Sequence, residues 1–320
     1  MKLKMTENKR LILGNTRDYD VIYLLYYLIL VIYDWFAKLW LLLFPARIIE
    51  KKYMFSLCTC FKNEASNLKE WVEYHKLIGV DHFYLYNNNS TDNYMDVLTP
   101  YIEDGSVTLV DFPQSPIQPH CYEHWINTYR QESSWLAMTD IDEYLVPLKD
   151  NNIKDWLNKW KKYPVIQIYW KMFGASGKIE HDNSRLNTEQ YTNSWPKLYD
   201  CGKIIFNTNY DINISFGMMH HTMACCNGLK IAPVNVWRKM VMFGINRHCS
   251  REVDIQINHY WSRAYEKYVE KLGKGDSAYS NNWKNFDTFL WHEQHNTSVD
   301  MTIYRFMVQL KLKMNGQYPM

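Results

Sequence analysis

Between Tyr53 and Tyr86 the chain runs YMFSLCTCF, then KNEASNLKEWVEYHKLIG, then VDHFYLY, an order that leaves few folds open. The first segment is a short apolar run of strand type. The second repeats apolar residues at helical spacing (Leu68, Trp71, Val72, His75, Leu77, Ile78) and stops at Gly79, and the third is a strand that ends in the polar loop NNNSTDN. Strand, crossover helix and strand predict a right-handed parallel unit, and ligands of such sheets sit beyond the carboxyl ends of the strands. Here those ends are Cys60 to Glu64 and Asn87 to Asp92.

A second strand-type run, WLAMTDIDEYLVP, places Asp140, Asp142 and Glu143 directly after apolar residues. Acids at i and i+2 point the same way in an extended chain, and like charges that close are costly unless a cation lies between them. A divalent ion is the natural remedy, and hard oxygen donors suit Mn2+ or Mg2+, which keep positions open for substrate phosphates. Asp142 is expected to ligate the ion directly, and Asp140 to contact a ribose or a metal-bound water. Upstream, QPHCYEHWINTYR offers Gln118, Cys121, Tyr122 and Arg130 on a predicted helix, with Arg130 open to a site role or a surface salt bridge.

A chain of 320 residues that is 47% hydrophobic can bury a full core. Its 36 basic against 34 acidic residues give a net charge of +2, which lacks the polycationic footprint of a nucleic-acid binder. The seven cysteines are scattered without a CxxC pair and read as reduced thiols, Cys58 and Cys60 alternating within a strand as small apolar residues.

The segment CFKNEASNLKEWVEYHKLIGVDHFYLYNNNSTDN resembles the opening of glycosyltransferase family 92 and its bacterial relatives in the broad family 2 group, with their N-E-x-x-x-L-x-E-W-x-x-Y-H signature and S-x-D loop. The resemblance implies a three-layer α/β fold of the GT-A kind with a mixed, mainly parallel sheet. It also implies a uridine crevice lined by Cys60, Asn63 and Glu64 on one side and Asn87, Ser90 and Asp92 on the other. Asn87 stands where many relatives carry an Asp that grips uracil. The D-I-D-E core is similar to the family's D-I-D-E-F element, with Tyr144 in the Phe position, and YPVIQIYWKMFGASG is similar to its W-x-x-F-G-x-S-G element.

Further along, NTEQYT resembles an E-R-Y segment with Gln190 for Arg, and INHYWSRAYEKYVEKLGKGD resembles the closing H-Y-x-x-K-S-x-E-x-F-x-x-K-x-x-R-G element, with Arg263, Ala264 and Lys274 as departures. By that likeness His259 completes the metal shell with Asp140 and Asp142, His220 and His221 being the competing histidines. Arg263, Lys271 and Lys274 would face the diphosphate, or form a solvated basic face. An inverting transfer needs a carboxylate to take the acceptor proton. Glu180, Asp182 and Glu189 are the candidates, Asp182 and Glu189 preferred. The implied activity is transfer from a UDP-sugar, galactose first, to a glycan or glycolipid hydroxyl. The competing readings are a nucleotidyltransferase on a similar sheet and a non-catalytic, membrane-tethered carbohydrate-binding protein.

Before this domain lies VIYLLYYLILVIYDWFAKLWLLLF, Val21 to Phe44, preceded by Lys2, Lys4, Lys9, Arg10 and Arg17. As a helix it would reach roughly 36 Å, enough to cross a bilayer. Asp34 and Lys38 near its middle cost about 3 kcal/mol each there, while each Leu, Ile, Val or Phe returns roughly 0.3 to 0.6. The two charges lie four positions apart and share a helix face, which suits an in-plane helix as well as a spanning one. Residues 1–50 are therefore read as a basic and hydrophobic membrane-associating arm, contact running through residues 19–44, and residues 51–320 as the catalytic domain. Glycosylation sequons at Asn88 and Asn89 fall inside the expected nucleotide loop, where a glycan would block the donor. A cytoplasmic catalytic domain follows from that reading.

Overall fold

The computed structural model describes residues 12–13, 21–213, 223–242, 245, 247, 252–275, 277 and 284–317. Its centre is β1 (Tyr53–Phe61), buried on both faces, which is why its sequence is a nearly unbroken apolar run rather than an alternating one. Helix α2 (Ala65–Leu77) carries the chain to β2 (His82–Asn87), parallel to β1 with Ser56 opposite His82 and Phe61 opposite Asn87. Helix α3 (Tyr94–Glu103) leads to β3 (Val107–Asp111), parallel to β2. Helix α4 (Ile117–Tyr129) then returns the chain across the sheet to β4 (Ser133–Met138), parallel to β1 on its other flank.

Because parallel crossovers are right-handed, moving one way along the sheet and then back puts α2 and α3 on one face and α4 on the other. The side chains of β2 register this with period two. Phe83 meets Trp71 of α2 at 5.5 Å between ring centroids, while Tyr84 meets Trp125 of α4 at 5.6 Å and the Tyr86 hydroxyl hydrogen-bonds His124 at 2.9 Å. The result is the expected three-layer α/β arrangement.

Past β4 the sheet becomes mixed. A short turn leads to β5 (Glu143–Pro147), and α5 (Ile153–Asn158) precedes the long β6 (Val165–Phe173). Strand β7 (Gly202–Asn207) lies antiparallel between β4 and β6. Strand β8 (Ile255–Tyr260) runs parallel to the second half of β6 and antiparallel to β5, with His259 opposite Glu143. Helices α6 (Tyr265–Lys274), α7 (Phe286–Glu293) and α8 (Met307–Met314) follow, and α8 meets α2 through Lys69, which donates to the Met314 carbonyl.

The hydrophobic segment forms helix α1 (Val21–Leu43), and it is docked on the α/β body. Leu30, Ala37 and Leu41 join the main core. Asp34 is buried and pairs with Lys38 at 2.8 Å, as its spacing predicts, and also with Arg247 at 2.6 Å.

Candidate active site

The two parallel strands β1 and β4 are neighbours whose flanking helices go to opposite faces, so the sheet has its switch point between their carboxyl ends. From β1 this brings Asn63 and Glu64, and from β4 it brings Asp140 and Asp142. The ladder continues through Thr139, whose N–H donates to the Cys58 carbonyl, and then turns sharply. Glu143 N–H donates to the Asp140 carbonyl at 3.0 Å while the Asp140 N–H donates to the Glu143 carboxylate at 2.9 Å.

That turn sends the acids in different directions. Asp140 accepts from Lys203 of β7 at 2.9 Å and from Gln118 of α4 at 2.6 Å. Asp142 accepts from Lys271 of α6 at 2.6 Å, with His259 Nε2 3.6 Å from its other oxygen. Glu143 lies buried between Lys203 and His259, each 3.8 Å away. Glu64 accepts from Lys274 at 2.5 Å and has Arg263 at 3.7 Å. Glu64, Asp140, Asp142 and Glu143 thus face Lys203, Arg263, Lys271 and Lys274 in one interlocked network.

Burial sets how these groups ionise. It would raise the Asp142 carboxyl, but the charges of Lys271 and Arg263 outweigh it and hold the group below the usual carboxylate range. Glu64 is held down in the same way, Arg263 and Lys274 overcoming its burial. For Glu143 burial wins over Lys203 and pushes the carboxyl well above its ordinary value. Burial also dominates at His259, keeping the imidazole neutral despite Asp142. Lys203 is the reverse: burial disfavours its charge, yet Asp140 and Glu143 raise it above the ordinary lysine range.

Of the expected ligand trio, the structure brings Asp142 and His259 together and turns Asp140 away to Lys203 and Gln118. Among the described residues no three His, Cys, Asp or Glu side chains converge on one point. The Asp142–His259 pair nonetheless suits a cation. A carboxylate oxygen and a neutral imidazole nitrogen 3.6 Å apart, too far for a hydrogen bond, are chemically a divalent-ion donor pair. Beside them Glu143 Oε1 and His259 Nδ1 are buried without hydrogen-bond partners. His220 and His221 lie outside the described residues.

The crevice residues are placed together, and they are tied to one another. Asn63 takes a left-handed φ of 53°, which Asn tolerates better than most residues, and its N–H donates to Ser90 Oγ at 3.0 Å. Its side-chain oxygen accepts from Thr91 N–H at 2.7 Å, and Asp92 accepts from Ala65 N–H at 2.8 Å. Asn87 donates to Asp111 at 2.9 Å and to the Tyr94 hydroxyl at 3.0 Å. Cys60 is buried against Cys121, whose thiol together with burial pushes the Cys60 thiol well up. The six described cysteines are all free thiols.

The two base candidates are not placed with this network. Asp182 is bound to Ser184, whose N–H and hydroxyl both donate to it, and Glu189 pairs with Lys311 of α8 at 2.6 Å and with Arg185 at 3.4 Å. Gln190 clamps the loop instead, donating to the carbonyls of Asp182 and Arg185. Arg130 pairs with the exposed Asp211 at 3.0 Å, the salt-bridge alternative.

The N-E-x-x-x-L-x-E-W-x-x-Y-H signature divides into a crevice half and a supporting half. Trp71 Nε1 donates to the Glu143 carbonyl and the Tyr74 hydroxyl to the Leu145 carbonyl, both at 2.9 Å. His75 Nε2 accepts the Leu145 N–H at 3.3 Å, so its Nδ1 must carry the proton that goes to the Trp71 carbonyl at 2.8 Å. Glu70, buried in α2, accepts from both the backbone and the side chains of Asn187 and Thr188. Helix α2 therefore grips β5, the strand that follows the acid turn and begins with Glu143.

Sequence reasoning missed Lys203, the buried state of Glu143, and Asp111. The one available signal was a lysine inside the otherwise apolar strand GKIIF.

The family model described as glycosyltransferase family 92 matches residues 51–302. A family 92 protein of Ricinus communis is 24% identical over 243 residues, 74% of this chain and 40% of that protein. One of Oryza sativa subsp. japonica is 25% identical over 244 residues, 73% of this chain and 38% of that protein. The chain thus spans about two fifths of the length of these curated relatives. Among solved structures, Staphylococcus aureus TarS 1-349 in complex with UDP matches with a TM-score of 0.33 at 14% identity, over 48% of this chain and 47% of that one. Glucosyl-3-phosphoglycerate synthase from Mycobacterium tuberculosis, in complex with Mn2+, UDP and glucosyl-3-phosphoglycerate, matches with a TM-score of 0.28 at 14% identity, over 37% and 44%.

Proposed function

Because the chain belongs to glycosyltransferase family 92, we propose that it transfers a sugar, with galactose the first candidate to test, from a UDP-sugar donor to a hydroxyl of a glycan or glycolipid, with inversion at the anomeric carbon. The observation that carries this reading is the convergence of Arg263, Lys271 and Lys274 on Asp142 and Glu64 at the switch point of the sheet. Arg263 is buried and Lys271 and Lys274 are partly buried, each held by a carboxylate, so a diphosphate entering the crevice meets preorganised positive charge. An incoming anion would draw Lys271 and Lys274 from their carboxylates, freeing those acids for another cation.

We assign that cation as Mn2+ or Mg2+, held by Asp142 and His259, with Asp140 left to the ribose or to a metal-bound water. When bound, such an ion neutralises charge that builds on the leaving diphosphate. The chain's own residues supply the rest. Lys203 fixes the orientation of Asp140, Arg263 keeps Glu64 at the mouth of the crevice once Lys274 has turned to the diphosphate, and neutral His259 presents a free lone pair. Asn63, Ser90 and Asp92 shape the floor on which a uracil would lie, and Asn87 is fixed by Asp111 and Tyr94. Asp182 and Glu189 stay as the candidates for taking the acceptor proton.

Residues 51–320 form the catalytic unit in this reading. The arm of residues 1–50 attaches it to a membrane, with the catalytic unit on the cytoplasmic side. The test is turnover of UDP-galactose and other UDP-sugars with added Mn2+, in the wild type and in Asp142→Asn. Loss of turnover in the variant and in EDTA is expected, and full activity of the variant in EDTA overturns the assignment.

A further inference from the structure

Helix α1 carries two opposite apolar stripes with different fates. One stripe is anchored to the protein along roughly 25 Å of the helix. Its contacts run from Tyr27, under the Arg247 guanidinium, to Phe44, whose carbonyl accepts from Cys226 Sγ. Between them Asp34 is locked to Arg247, and the Tyr33 hydroxyl donates to the Lys230 carbonyl and accepts from Ala232 N–H. Trp40 Nε1 donates to the Cys226 carbonyl at 2.9 Å. The other stripe, Leu25, Ile29, Ile32, Trp35, Leu39 and Leu42, is exposed, Ile32, Trp35 and Leu42 by about 70%. It continues beyond the helix into exposed Ile48 and Ile49.

We propose that α1 is an in-plane membrane helix: it lies flat in one leaflet, the Ile32 and Trp35 stripe among the lipid chains and the Asp34 stripe on the protein, and does not span. This deepens the membrane attachment proposed above and rests on it. Spanning would strip Asp34 from Arg247 and place a carboxylate at mid-bilayer while leaving a buried guanidinium unpaired. Lying flat keeps every one of those contacts and still covers an apolar face too large for water. The charge pattern is a lipid-surface one in two respects: the helix has one carboxylate, turned inward and paired with Lys38 and Arg247, and the exposed stripe itself carries no charged residue. Trp35, whose indole is amphipathic, suits the boundary between headgroups and chains where such a helix lies.

The experiment uses the full chain and vesicles of mixed phosphatidylcholine and phosphatidylglycerol. A fluorescent amino acid encoded in turn at positions 25, 32 and 39 is quenched by lipids brominated at different depths along the acyl chain. The expected result is one shallow depth for all three positions. A deep position 32 flanked by shallow ends means spanning, which overturns the in-plane inference and leaves membrane attachment intact. Failure of the wild type to co-sediment with vesicles overturns both, and analytical ultracentrifugation then shows whether a second copy covers the stripe. As a second measurement, the Ile32→Gln and Trp35→Gln double variant is expected to bind vesicles at least about tenfold more weakly with unchanged thermal unfolding. Unchanged vesicle affinity overturns the proposal.

Discussion

At the scale of single residues, the site is governed by which charges are paired where water is absent. Lys203 is the clearest case, a buried ammonium between Asp140 and Glu143. Removing one partner of a buried pair leaves the other uncompensated, so Lys203→Met is expected to cost about 3–5 kcal/mol, measured by urea denaturation. A loss below about 1 kcal/mol would show that the acids find other partners. Lys271 reaches Asp142 from a helix that is partly open to solvent, so Lys271→Met is expected to cost less stability and to raise KM for the nucleotide-sugar. The acids themselves could be recognised from D-I-D-E, because an acid pair closing an apolar strand is chemically conspicuous. Their partners could not, since Lys203 and Gln118 lie 63 and 22 positions from the Asp140 they bind, on elements whose register only the fold fixes.

At the scale of elements, α2 acts as a clamp on β5. Burial lowers His75 from its ordinary 6.5 to about 3, so the folded state keeps the ring neutral where the unfolded chain takes up a proton. The sign follows: the folded state keeps its full stability above pH 6.5 and loses it as pH falls toward 3, at about 1.4 kcal/mol per pH unit. Between pH 6.5 and 5 that is about 2 kcal/mol. His75→Gln is expected to lower stability at pH 7 and to flatten the acid slope, read from urea midpoints at pH 7 and pH 5. An unchanged slope would mean that other groups carry the acid sensitivity. Helix α2 and its two flanking strands were legible because period 3.6 and a strand-type run are local properties of the chain. That the E-W-x-x-Y-H half works on β5 was not, because those hydrogen bonds join residues about 70 positions apart.

At the scale of the whole molecule, the N-terminal helix and the α/β body share one core. The salt link between Asp34 and Arg247 is the joint, and both partners are nearly buried. Asp34→Ala is expected to destabilise the protein by about 3–5 kcal/mol, since Arg247 would remain buried without its carboxylate. Thermal unfolding of the full chain in detergent checks this, and a Tm unchanged within error would mean that the helix is only loosely attached. Sequence reasoning saw that Asp34 and Lys38 share a face and pair. The third member, Arg247, is 213 positions away and gave no local sign.

The chain alone determined the parallel strand–helix–strand opening, the placing of Asn63, Glu64 and Asn87 at its carboxyl ends, the acids that close β4 and the family likeness. Each of these is written in residues adjacent along the backbone, where hydrophobic period, turn chemistry and motif spacing act directly. The turn that splits those acids was not read from the chain. Tertiary structure decided how charge is distributed among them. It turned Asp140 to Lys203, brought His259 beside Asp142 by setting β8 against β5, left Asp182 and Glu189 with other partners, and laid one face of α1 on the protein. Those outcomes depend on strand register and on packing between distant segments, and in a desolvated interior a shift of a few ångströms decides which opposite charge each group meets.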